Sequence, residues 1–130
     1  MSNRLLFCGC LLLAGCSSTQ PSGNLILGDD SDCTPLAMHI GQELTLTLPS
    51  DPTSGYRWTI LQRSDNLRQL GPEVFREQRQ DQGGIGSAGQ SLWRFRAQSA
   101  GSAHLELQAR QPWDADAEPQ ARFDCRIEIR

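Results

Sequence analysis

The chain has 130 residues, with 15 acidic residues against 12 basic ones and a net charge of −3; every basic residue is arginine. A mild acidic balance without charge runs gives no electrostatic footprint for nucleic acid. The length allows one domain with a single core and no more.

Arg4 precedes an apolar run, Leu5 to Ala14, that is too short to span a bilayer as a mature helix but suits the h-region of a secretory signal. The run ends Leu13-Ala14-Gly15-Cys16, which resembles the lipobox of bacterial lipoproteins: small residues admit the cleaving peptidase, and the following cysteine carries the lipid. The resemblance implies a signal peptide over 1–15 and lipidation of Cys16, with Cys8 and Cys10 discarded. Losing Arg4 makes the mature chain one unit more acidic, so nothing basic reinforces membrane binding and attachment rests on the acyl chains. Each buried methylene contributes about 0.8 kcal/mol, so multiple chains hold where one would not. Ser17, in place of the Asp that retains such proteins in the inner membrane, points to the outer membrane facing the periplasm.

Residues 16–32 are rich in Ser, Gly and Asp and read as a tether; from Ser17 to Asp32 its full extension is roughly 50 Å. Leu25-Ile26-Leu27 interrupts it and could instead add a short edge strand. The domain proper is expected over 33–130. Glu43-Leu44-Thr45-Leu46-Thr47-Leu48 alternates with the period of a half-buried strand, and Tyr56, Trp58 and Ile60 repeat that alternation. Further strands are expected at Glu73 to Glu77, Leu92 to Gln98, Ala103 to Ala109 and Arg122 to Ile129, each with one wet face. Asn66 to Leu70 reads as a turn of helix or irregular chain. Short alternating strands spaced by turn signals, with helical periodicity nearly absent, predict an all-β, two-sheet antiparallel sandwich.

Cys33 and Cys125 remain after lipidation. One leftover pair in an exported chain suggests a disulfide, and Cys125 lies in phase with Phe123, Ile127 and Ile129, facing the core. The competing reading is metal or catalysis. His39 and His104 are the only histidines, and neither stands at a ligand spacing from a cysteine, so no metal site is expected.

Three loops resist a purely connective explanation. Asp51-Pro52-Thr53-Ser54-Gly55-Tyr56 is stiffened by Pro52, and Gly55 can take a positive φ. Gly83-Gly84-Ile85-Gly86-Ser87-Ala88-Gly89 has too many glycines for a tight hairpin; it is either a flexible link or a place where a partner's backbone comes close. Arg110-Gln111-Pro112-Trp113 sets an indole beside a proline, either as a lid on the core or as a binding anchor.

Taken in order, the three resemble the chagasin family of cysteine-peptidase inhibitors, whose loops read Asn-Pro-Thr-Thr-Gly-Tyr, Gly-X-Gly-Gly and Arg-Pro-Trp. The resemblance runs from about Pro35 to Ile129. Asp51 replaces the usual Asn, Ala88 stands where glycine is common, and Gln111 takes the place of Arg with Arg110 one position earlier. The resemblance implies an immunoglobulin-like sandwich whose three loops gather at one end and enter the cleft of a papain-like cysteine peptidase. The implied contact residues are Asp51, Pro52, Thr53, Ser54, Gly55 and Tyr56; Gly84, Gly86, Ser87, Ala88 and Gly89, with Gly83-Gly84 offering a second register; and Arg110, Gln111, Pro112 and Trp113. Thr53 and Ser54 would sit over the catalytic thiol and histidine, with the flanking loops along the two sides of the cleft. No cofactor is implied, and a monomer is expected.

An enzyme would need a nucleophile near a histidine held by a third group, and no such set is visible. An envelope lipoprotein that binds carbohydrate or another protein through the same loops is the alternative.

Overall fold

The computed structural model describes residues 15–16, 23–78 and 88–130. Most of the expected signal segment, most of 16–22 and the centre of the glycine loop therefore lie outside the described residues. Among the described residues nine strands make two sheets: β1 (Leu25–Leu27), β2 (Leu36–Met38), β3 (Glu43–Ser50), β4 (Arg57–Arg63), β5 (Leu67–Gln69), β6 (Val74–Glu77), β7 (Gly89–Ala97), β8 (Gly101–Arg110) and β9 (Ala121–Ile129). One sheet runs β1-β3-β7-β5, with β6 also on β7; the other runs β2-β9-β8-β4. Among the described residues no helix is long and apolar enough to cross a membrane.

The period-two pattern is what forms the core. Leu44, Leu46 and Leu48 of β3 are wholly buried, as are Phe95 of β7, Leu105 and Leu107 of β8, and Cys125 and Ile127 of β9. Intervening polar residues face out, as alternation across a half-buried sheet requires. On that outer face Glu43 receives Arg94 at 2.8 Å and Arg96 at 2.6 Å. The hydrogen bonds from Arg94 and then Arg96 hold the Glu43 carboxyl below the usual carboxylate range. A depressed acid contributes stability that is full above its unfolded value and lost as pH falls through the folded one. Glu43→Gln should therefore be slightly less stable than the parent at neutral pH, and the gap should close on acidification; urea melts at several pH values would read it.

Three expectations change, and one alternative left open is decided. Asn66 to Leu70 is not a helical turn: Leu67–Gln69 pairs antiparallel with β7, because Leu67 is fully buried and draws three residues onto the sheet. Leu36–Met38, to which the pattern assigns no element, pairs parallel with β9 through a buried Met38. Three residues are too few to show a period. β1 pairs parallel with β3 at the edge of its sheet and buries Leu27, so Leu25-Ile26-Leu27 is the short edge strand offered as the alternative to an uninterrupted tether. β6 is wet on both faces, with Val74 and Phe75 both exposed.

Cys33, in the crossover from β1 in one sheet to β2 in the other, is bridged to Cys125 at the centre of β9, with a Cα–Cα distance of 5.0 Å. The alternation of β4 breaks between Ile60 and Gln62, where the pairing with β8 shifts register and Leu61 is left exposed.

Candidate functional site

Strand register gathers the loop ends. Ser50, the last residue of β3, pairs with Gly89, the first of β7, and Gly89 also pairs with Glu77, the last of β6. In the other sheet Arg57 pairs with Arg110, and Ala109 with Ala121. Trp58 joins the two sheets at this end, donating its indole N–H to the Pro49 carbonyl at 2.8 Å and meeting Trp93 edge to face. The 51–56, 78–88 and 111–120 connections thus leave the same end of the sandwich.

The central loop is a built turn. Pro52–Ser54 forms one turn of 3-10 helix, with Asp51 as its N-cap in extended conformation. The Asp51 carboxylate accepts from the Thr53 amide at 3.1 Å and the Thr53 hydroxyl at 2.7 Å, the bonding that makes Asp a good cap. The Ser54 hydroxyl donates to the Asp51 carbonyl at 2.6 Å, and Arg57 donates to the Pro52 and Tyr56 carbonyls, both at 2.9 Å. Gly55 closes the turn at φ +83°. Thr53 and Ser54 at the tip are exposed.

The third loop leans on the first. Gln111 donates its amide to the Ser54 carbonyl at 3.2 Å. The Trp113 indole, 72% exposed, lies across Gly55 so closely that a Cβ there would stand 2.2 Å from its Cη2. Trp113 is therefore not a lid on the core. Arg110 does not point outward with it: its guanidinium donates back to the Ala115 and Ala117 carbonyls, fastening 111–120 to the end of β8. Charged hydrogen bonds contribute about 1.5 to 3 kcal/mol, so Arg110→Ala should free 111–120 from the end of β8 and lower the thermal midpoint by several degrees. A thermal melt checks it, with Arg110→Lys recovering only part because a lysine lacks the fork.

The chagasin family peptidase inhibitor I42 model matches residues 37–127, most of the chain. The chain belongs to the chagasin family. Among solved structures it is similar to the cysteine protease inhibitor EhICP2 from Entamoeba histolytica, at 20% identity and a TM-score of 0.73, covering 82% of this chain and 95% of that one. Amebosin is similar at 20% identity and a TM-score of 0.66, covering 84% and 100%. PbICP-C, solved in complex with falcipain-2, is similar at 10% identity and a TM-score of 0.53, covering 84% and 91%. Among curated protein sequences none is significantly similar to the chain.

Within the chagasin frame the predicted contact residues divide. Asp51, Pro52, Thr53, Ser54, Gly55 and Tyr56 form one turn, and Gln111, Pro112 and Trp113 lie beside it. Gly84, Gly86 and Ser87 lie outside the described residues. Ala88 is exposed, but Gly89 is buried inside β7, where a Cβ would stand 2.2 Å from the Arg76 carbonyl and 2.7 Å from the Phe75 ring. Its bareness serves the β6–β7 pairing. Arg57 and Trp58, which brace the turn from below, carry no loop motif, and only their place directly after Tyr56 in chain order points to them. Both described histidines lie elsewhere: His39 sits just after β2 and His104 inside β8.

Proposed function

We infer that the chain is a reversible inhibitor of papain-like cysteine peptidases that occludes the active-site cleft with the 51–56 turn, flanked by the Trp113 loop and the glycine loop. The observation that carries this reading is the seating of an exposed Trp113 on Gly55, which joins two chagasin motifs into one protruding surface. An exposed indole held by its neighbours is a low-entropy anchor of the kind that dominates interfaces.

The turn also protects three of its own peptide bonds from cleavage, those that follow Asp51, Pro52 and Ser54. The Asp51 carbonyl accepts from Ser54, the Pro52 carbonyl from Gly55 and Arg57, and the Ser54 carbonyl from Gln111. Carbonyls turned into internal bonds are not offered to a thiolate in attack geometry. Thr53 and Ser54 then cover the catalytic thiol and histidine without acting as substrate. Inhibition needs no catalytic group of the inhibitor's own.

We also propose that the chain is exported and lipid-anchored through Cys16, in the outer membrane facing the periplasm, with residues 1–15 removed and a short tether before β1. Supporting this are the lipobox-like order ending at Cys16, a free exposed thiol in the structure, and a buried disulfide suited to an oxidising compartment. Radiolabelled palmitate should enter the wild-type chain and not Cys16→Ser.

The function is tested by titrating papain with the chain from Gly23 onward. Residual activity should fall to zero at one inhibitor per peptidase and return on dilution with the inhibitor uncut. Full peptidase activity at micromolar inhibitor would sink the proposal.

A further inference from the structure

We propose that His104, Glu106 and Asp124 form a binding site for a zinc-like divalent cation on the outer face of the four-stranded sheet, away from the peptidase-binding loops. A Cys-His spacing search misses this cluster, because pairing of β8 with β9 assembles it. Glu106 stands directly opposite Asp124 in the register, and His104 is two residues from Glu106 on the same face. One ligand atom from each of the three lies within 4.8 Å of the others.

The imidazole is held for the task. His104 Nε2 lies 2.9 Å from Asp124 Oδ1, while Nδ1 lies 2.9 Å from Gln62 Oε1. By simple alternation Gln62 would share the inner face with Trp58 and Ile60. The bulge at Leu61 turns it outward, opposite Glu106 and against the ring. Bulges re-aim side chains in this way, and a hydrogen-bond partner on one ring nitrogen orients the other toward a metal. The Gln62 contact on Nδ1 leaves Nε2 turned toward the Asp124 carboxylate, so one ring nitrogen and two carboxylates converge on the outer face.

Charge supports the same occupant. Glu106 and Asp124 put two carboxylates face to face across adjacent strands, which is destabilising unless compensated. Arg126 lies opposite His104, but among the described residues it makes no ion pair with either acid. One nitrogen and two carboxylates suit zinc, whose ligand atoms stand about 3.3 Å apart in a tetrahedron; His104 and Asp124, 2.9 Å apart in the free protein, would open slightly to admit the ion, and water completes the set. Calcium needs six to eight oxygens and magnesium an octahedron, so neither is matched. The ion would clip β8 to β9 through side chains, and its role is structural.

The test uses the full chain with its free thiols alkylated, so that cysteines outside the disulfide take no zinc, and zinc chloride alone as the probe. Calorimetry should show one saturable site, with a raised thermal midpoint that calcium and magnesium do not reproduce. His104→Gln and Glu106→Gln should each lower zinc affinity at least about tenfold, and Gln62→Leu about 10- to 100-fold. All three should inhibit papain as the parent does without zinc, which separates failure here from failure of the inhibitor assignment. If His104→Gln does not fold, Glu106→Gln and Asp124→Asn carry the comparison. No saturable uptake by the parent, or uptake undiminished in these variants, overturns the site and leaves His104–Asp124 as a cross-strand hydrogen bond.

Discussion

Gly55→Ala should weaken inhibition of papain by about 30-fold or more while lowering the thermal midpoint by only a few degrees. Two separate costs meet at this position. At φ +83° an L side chain is strained by roughly 1 to 2 kcal/mol. The new methyl would also stand 2.2 Å from Trp113 Cη2 and 3.1 Å from two neighbouring ring atoms, so the indole has to leave. It can leave cheaply for the fold, because it is mostly exposed. It cannot leave cheaply for binding: a central aromatic anchor contributes about 2 kcal/mol or more, which is roughly 30-fold in affinity.

A double-mutant cycle isolates the contact. Trp113→Ala alone should cost a similar factor with the midpoint nearly unmoved. In that background Gly55→Ala has no indole to displace, and only the backbone strain remains. The two losses should therefore fall short of additive by about 1 to 2 kcal/mol, the signature of residues that act through one contact. Strict additivity would mean that Trp113 does not bind from the position it holds in the free protein. A large fall in thermal stability for Trp113→Ala would return the indole to the core.

How much of this was legible depends on how far each signal travels along the chain. The alternation of Glu43 to Leu48 and of Phe123 to Ile129 is local, and it located the long strands and the inward face of Cys125. Leu36–Met38 and Leu67–Gln69 are strands only because β9 and β7 offer them partners, a tertiary effect that three residues do not announce. Gly89 reads in the sequence as the last glycine of a contact loop, but its pairing makes it a strand residue beneath Phe75. Arg110 looked like part of a contact motif and is a brace. Motif order identified which loops meet; it did not tell which residues face outward and which hold the others in place. The His104 cluster depends on a bulge and a cross-strand register, and neither is written in spacing.

Replacing both Cys33 and Cys125 with alanine should lower stability by about 4 to 5 kcal/mol and the thermal midpoint by on the order of 20 °C. The bridge joins residues 92 apart, so its removal returns most of the chain's loop-closure entropy to the unfolded state. Its position adds a native-state cost. Cys33 pins the crossover by which the chain passes from β1 in one sheet to β2 in the other, and both flanking strands are only three residues long. Cys125 is wholly buried and Cys33 nearly so, which means a reductant reaches the sulfurs only when the domain opens. Reduction under native conditions should thus proceed at the rate of global unfolding, and urea melts of the double variant should shift in midpoint. A loss below about 1 kcal/mol would mean that the bridge closes a connection already fixed by packing. A loss of the expected size would leave the chain marginal wherever thiols stay reduced, since domains of this size have only about 5 to 15 kcal/mol to lose. The inhibitor would then persist chiefly in an oxidising compartment, the setting of the export proposed above.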